Sequence, residues 1–210
     1  MYTHYTVYID TMPRSSEPTR ARILKAAAKL YYSEGIRSVS VDAVAEQAGV
    51  TKRTLYYHFR SKDDLIAAYL DARDQPNLKA FARWFQDTKG NLPAKTEGIF
   101  VNLAKSARHP SWKGCGFLRT AGELAGMPGH PAMKIGARHK TNVESWLAGV
   151  MSDGGVRNAN VLARQIMILL DGAFSTALVH RDAAYIEAAG RAASELVSAK
   201  LTSKGLGKRR

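Results

Sequence analysis

The stretch that decides the fold is Ser40–Lys62, SVDAVAEQAGVTKRTLYYHFRSK, which reads as a short helix, a glycine turn and a second short helix. Ser40 is placed to cap a helix whose inner side carries Val41, Val44, Ala45 and Ala48, and Gly49 can take the left-handed backbone that ends it. Thr51 is a second N-cap, so the next helix begins with Lys52, Arg53 and Thr54 in its first turn. Cations there oppose the helix dipole by a few tenths to ~1 kcal/mol, which predicts a compensating negative charge outside the protein. Nucleic acid is the expected source, because a helix that enters the major groove by its N-terminal end offers such side chains to phosphates and base edges.

Outward from this pair, Ile23, Leu24, Ala27, Leu30 and Tyr31 recur at helical spacing until Ser33-Glu34-Gly35, giving a first helix led by Pro18. Its apolar stripe is expected to cover the two short helices. Arg14 and Arg20 read as a basic arm ahead of it. After Phe59, Ser61 caps a longer helix that starts with Leu65, Ile66, Tyr69 and Leu70. Pro76 interrupts its pattern, so one kinked helix or two stacked pieces are expected up to Lys89-Gly90-Asn91. Further helices are expected over about 93–107, 117–126, 132–151, 158–181 and 183–201, with HPSWKGCG at 109–116 as a loop and Gly154-Gly155 as a stop. The last two are apolar on more than one face, which predicts burial against both the body and a second copy of the chain.

The segment AVAEQAGVTKRTLYYHFRSKDDLI, residues 43–66, closely resembles the DNA-binding signature of the TetR family of transcriptional regulators, specifically from about Arg20 to Leu70. GCGFLRTAGELAG at 114–126, HPAMKIGARHK at 130–140 and LLDGA at 169–173 resemble the C-terminal half of many members more loosely. The resemblance implies an all-α protein of about nine helices. An N-terminal three-helix helix-turn-helix head would precede an effector-binding, dimerising body: an arm at 1–17, the DNA-binding domain at 18–61, the body at 62–201 and a basic tail at 202–210. It further implies a homodimeric repressor that leaves a palindromic double-stranded operator when a small molecule binds. An activator, or a TetR-like interaction protein without operator binding, is the alternative.

By the same resemblance Ser40, Thr51, Tyr56, His58 and Lys62 are expected to meet phosphate, and Lys52, Arg53 and Thr54 to reach base edges. Asp42 stands where some relatives carry a cation, and Arg53 where many have a small residue or proline. Tyr57 and Phe59 are expected to pack. Trp84, Phe85, Phe100, Phe117, Trp146 and Phe174, with Glu123 or a histidine as a polar anchor, are the expected walls of a mostly apolar effector pocket. Leu162, Ile166, Leu169, Phe174, Ile186, Ala189, Ala193, Leu196 and Val197 are the expected dimer surface.

Composition bounds the rest. A chain of 210 residues, 45% hydrophobic, can bury a substantial core, and its formal charge of +13 favours acidic partners. The charge is densest in LTSKGLGKRR, which reads as disordered. MYTHYTVYIDT reads as an extension ahead of a start at Met12. The apolar run IMILL at 166–170 is cut by Asp171, so no membrane span is expected, and no export signal is seen; the reading is cytoplasmic. The lone Cys115 excludes an internal disulfide. With His109, His130 and His139 it fits no metal-ligand or nucleophile pattern, so it is expected in the core, with no cofactor, no metal and no enzymatic role. The glycines lack phosphate-loop order.

Overall fold

The computed structural model describes residues 19–202, and among them the chain is helical with no strand. The expected arm at 1–17, Pro18 as first-turn residue and the basic tail from 203 lie outside the described residues. In chain order the helices are α1 (Thr19–Glu34), α2 (Val41–Ala48), α3 (Lys52–His58), α4 (Lys62–Asp87), α5 (Leu92–Ala107), α6 (Gly116–Glu123), α7 (Pro131–Asp153), α8 (Ala159–His180) and α9 (Ala184–Thr202). They divide into two compact units, one reaching Tyr69 and one starting at Leu70.

In the first unit α1 packs on α2 and α3, as its stripe requires. Ile23, Ala26, Ala27 and Tyr31 of α1 are buried with Val44 and Ala45 of α2, Leu55 of α3 and Phe59. Leu65, Ile66 and Tyr69 from the opening turns of α4 join this core, and the Tyr31 and Tyr69 rings meet edge to face at 5.5 Å. Arg20 lies inside α1, where its guanidinium covers the Phe59 ring at 4.9 Å, so it is a packing cation and not part of a preceding arm.

Pro76 does not divide α4, which is one helix of 26 residues. In the second unit α5 packs chiefly on α9, α7 on α8, and α8 on α9. A Cβ at Gly190 would lie 2.7 Å from Phe100 Cβ, so glycine is what allows α9 this close to α5. α5 is capped by Asn91, whose side chain accepts from Ala94 N at 3.2 Å. α7 is capped by His130, which accepts from Ala132 N at 3.0 Å.

α8 differs from expectation in one respect: its 22 residues include an 18-residue window of mean hydropathy 1.4, long and apolar enough to cross a membrane by composition. Its placement explains the composition. Leu162, Ala163, Ile166, Met167, Leu170 and Ala173 are buried in the protein core, while its charged Arg164 and Asp171 pair with Glu144 and Lys140 of α7.

This packing corrects the expected dimer surface. Leu162, Ile166, Ile186, Ala193 and Val197 are at most 1% exposed within a single chain, and Phe174 is buried beside Trp112, its ring stacked at 6.3 Å. Side chains already enclosed by their own chain cannot cover a second copy. Leu169, Ala189 and Leu196 are half-buried. The outward stripe of α8 is Val161, Gln165, Ile168, Gly172, Ser175 and Val179, at alternating steps of four and three; that of α9 is Tyr185, Ala188, Ala192, Glu195 and Ala199.

Candidate nucleic-acid interface

The helix-turn-helix is built by its caps. Ser40 takes extended backbone and its hydroxyl accepts from Ala43 N at 3.0 Å, which starts α2. Gly49 ends it in the left-handed conformation, φ 65° and ψ 40°, and Val50 N donates back to the Ala45 carbonyl at 3.0 Å. Thr51 then caps α3, accepting from Thr54 N at 3.1 Å, with the two threonine hydroxyls 2.8 Å apart. Each such cap contributes ~1 kcal/mol. Two caps and one glycine therefore fix where the chain turns.

Leu55 is the inward anchor of α3 and is fully buried. With 3.6 residues per turn, Arg53 and Tyr57 then stand on the opposite, outward pole, with Thr54 and Tyr56 beside them. Arg53 is exposed and has no ion-pair partner among the described residues. Tyr57 is 86% exposed and its ring meets His58 edge to face at 5.2 Å. The expectation that Tyr57 packs is therefore wrong, whereas Phe59, 4% exposed, does pack. The helical phase from Leu55 carried that signal; the aromatic character of YYHF obscured it.

Lys52 does not project alone. Its Nζ donates to Asp42 Oδ2 at 3.0 Å, so one first-turn cation of α3 is compensated within the protein, while Arg53 is not. The hydrogen bond from Lys52 to Asp42, and the charge behind it, push the Lys52 pKa up. Asp42 sits in the first turn of α2, where a carboxylate suits the helix dipole. Lys62, half-buried, donates to the Arg37 carbonyl at 3.4 Å. Ser40, Thr51, Lys52, Arg53, Thr54, Tyr56, His58 and Lys62 thus all belong to the first unit, around the turn and the two ends of α3.

These residues coincide with the sequence match. Residues 23–69 match the family described as "Bacterial regulatory proteins, tetR family". A TetR-family transcriptional regulator from Streptomyces coelicolor is similar at 27% identity and a TM-score of 0.74, over 87% of this chain and 95% of that one. Residues 23–69 thus carry the DNA-binding domain of the TetR family of transcriptional regulators, in a chain with the fold of the members it resembles. A regulator of the same family from Streptomyces avermitilis gives 29% identity and a TM-score of 0.74, over 88% and 98% of the two chains. The HTH-type transcriptional regulator UidR of Escherichia coli (strain K12) is 37% identical over 82 residues, which is 39% of this chain and 40% of UidR. That match spans less than half of either chain.

The body of the chain treats the expected pocket residues differently. Phe85 meets Trp146 edge to face at 5.9 Å, Trp84 meets Phe81 at 5.7 Å, and Phe117 stacks on His139 at 3.8 Å. Phe100 is closed against Gly190, and Glu123 is half-buried. The aromatics are therefore engaged with separate partners. A surface cavity of about 390 Å³, lined by Thr88, Glu97, Gly98, Val101 and Lys105 among others, shares none of them.

The buried polar group of the body is instead Asp74, with His139 Nδ1 donating to Oδ1 and Asn142 Nδ2 to Oδ2, both at 2.7 Å. Burial opposes ionisation of Asp74, but the hydrogen bonds from His139 and Asn142 outweigh it and hold the carboxyl below its usual range. Burial, aided by nearby Lys140, outweighs Asp74 at His139 and lowers its pKa, keeping the ring neutral. Asp74 and Asn142 were missed as site residues, although Asp74 falls on the Leu70–Phe81 face of α4, where an acid is out of pattern. Among the described residues no three His, Cys, Asp or Glu side chains gather as for a metal. His109 bonds Ser111, His130 caps α7, and Cys115 is buried ahead of α6.

Proposed function

We propose that the chain acts as a homodimer that binds a palindromic operator through α3 and represses transcription until a small molecule binds the body. The observation that carries this reading is the outward pole of α3, where Arg53 projects uncompensated from the first turn beside Tyr57 and Thr54. An arginine there can reach guanine O6 and N7 together, worth ~1–3 kcal/mol of discrimination. Ser40, Thr51, Tyr56, His58 and Lys62 are assigned to phosphates and Lys52 and Thr54, with Arg53, to bases. In a two-fold dimer the two copies of α3 would meet half-sites ~34–36 Å apart, or a multiple of that.

The effector is proposed as a mostly apolar small molecule that binds the body by parting the aromatic pairs that now close on one another. α4 is the covalent link from Lys62 to Asp87, so a ligand that favours one position of this helix biases DNA binding. A coupling of ~1–3 kcal/mol would change DNA affinity about 5 to 150-fold.

The test is a selection of duplexes from a random pool by the full chain, followed by affinity measurements on the selected site. Arg53→Ala should relax preference at one symmetric base-pair position, at a cost of about 1–3 kcal/mol. Lys62→Ala should weaken all sequences alike and lower the salt slope by about 1. Equal loss of selectivity in both variants would overturn the assignment, and failure to enrich any sequence would overturn the reading.

A further inference from the structure

We propose that Asp42 is a specificity-determining residue that, by holding Lys52, withdraws this lysine from phosphate binding and so keeps affinity for non-cognate DNA low. The inference rests on α3 being the DNA-reading helix. Its geometry is on the page: Lys52 Nζ lies 3.0 Å from Asp42 Oδ2, with the two side chains 54% and 66% exposed, at the adjoining starts of α3 and α2.

In water such an exposed pair stabilises the protein little. Against DNA the same pair matters more, because non-specific affinity is set by how many phosphates are neutralised. Lys52 on a flexible stem would reach a phosphate in any sequence. Tethered to Asp42 it does not, and the carboxylate adds a repulsive charge where a polyanion approaches. Arg53 remains as the first-turn cation with no partner of its own, and its bidentate geometry reads bases. An ammonium has three donors, so Lys52 can keep Asp42 and still donate to guanine O6 or N7 on a matching sequence. The pair therefore costs affinity on mismatched duplexes and little on a matched one. Asp42 acts through Lys52 as a positioning residue.

The experiment uses the full-length protein, a duplex selected from a random pool by the unaltered protein, and a shuffled duplex of equal composition. Asp42→Asn keeps the size and exposure of the side chain and removes its charge. It should tighten binding to the shuffled duplex by about threefold to tenfold and steepen its salt slope by ~0.9, the increment of one extra phosphate contact. That increment is a further factor of about 3.5 between roughly 50 and 200 mM salt. Affinity for the selected duplex should rise less, so the ratio between the two falls. In a Lys52→Gln background Asp42→Asn should change the slope much less, since only the repulsion by the carboxylate is then removed. An unchanged shuffled-duplex affinity in Asp42→Asn overturns the proposal, and so does an equal effect with and without Lys52. If Lys52→Gln and Arg53→Ala leave binding to both duplexes untouched, α3 is not the reading helix and the proposal falls with that reading. If those variants lose binding while Asp42→Asn changes nothing, the proposal alone falls.

Discussion

Asp74 shows how one residue can link buried chemistry to stability. Its carboxylate is 4% exposed and survives there because His139 and Asn142 satisfy both oxygens. The neutral His139 that donates to it has a folded pKa below the ordinary 6.5. Below that pH the unfolded chain binds a proton that the folded chain refuses, so stability rises with pH across this window. The contribution is complete above 6.5 and is lost as the pH falls towards the folded value. Asp74, whose carboxyl is also depressed, contributes above its ordinary 3.8 and gives way only in stronger acid. Urea unfolding at about pH 8 and about pH 5.5 should therefore show a lower midpoint in acid. His139→Gln, which keeps a donor towards Asp74, should flatten that difference. Equal pH sensitivity in both proteins would mean that other groups carry it.

Among the elements, the two short helices were legible because caps and turns are local: Ser40, Gly49 and Thr51 act within a few residues of themselves, and the structure uses all three as read. Pro76 was less legible, since the sequence marks the weak point of a helix but not the packing that carries α4 through it. The aromatics of the body were expected as pocket walls, yet which rings meet depends on contacts far apart in sequence, such as Phe117 with His139. The Lys52 to Asp42 bond was hidden for the same reason, because it spans the turn between two helices whose separation no periodicity reports. Gly190 is a further case, a glycine inside α9 whose meaning lies in α5. Since a Cβ there would come within 2.7 Å of Phe100, Gly190→Val must push α9 away from α5 or displace a fully buried ring. Overpacking of this kind costs ~1–3 kcal/mol, and β-branching in a helix adds to it. Thermal unfolding should show the loss, and Gly190→Ala, which adds the Cβ alone, should show a smaller one. A Gly190→Val protein as stable as the parent would mean that the α5–α9 contact is looser than described.

For the whole molecule the proposed dimer needs a surface that a single chain leaves uncovered, and burial narrows the choice where patterning could not. An all-round apolar helix announces two partners without saying which stripe belongs to which. The structure assigns the inner stripes of α8 and α9 to the chain itself, leaving Ile168 66% and Val179 77% exposed on the outer stripe of α8. Gly172 and Ser175 lie between them, small enough for a second helix to come close. α9 carries Tyr185, Ala188 and Ala192 at the same alternating spacing, and these two stripes are the surfaces proposed for a four-helix, two-fold interface. Ile168→Glu should then give a protein with intact helical circular dichroism that sediments as a monomer and binds the selected palindrome at least tenfold more weakly, because a half-site contact loses its tethered partner. Val197→Glu should behave differently. That side chain is fully buried within one chain, and an unpaired carboxylate there costs several kcal/mol, so the body should unfold before the question of dimerisation arises. An Ile168→Glu protein that remains dimeric in sedimentation would move the interface off this seam, and a parent that sediments as a monomer at micromolar concentration would remove the dimer from the proposed mechanism.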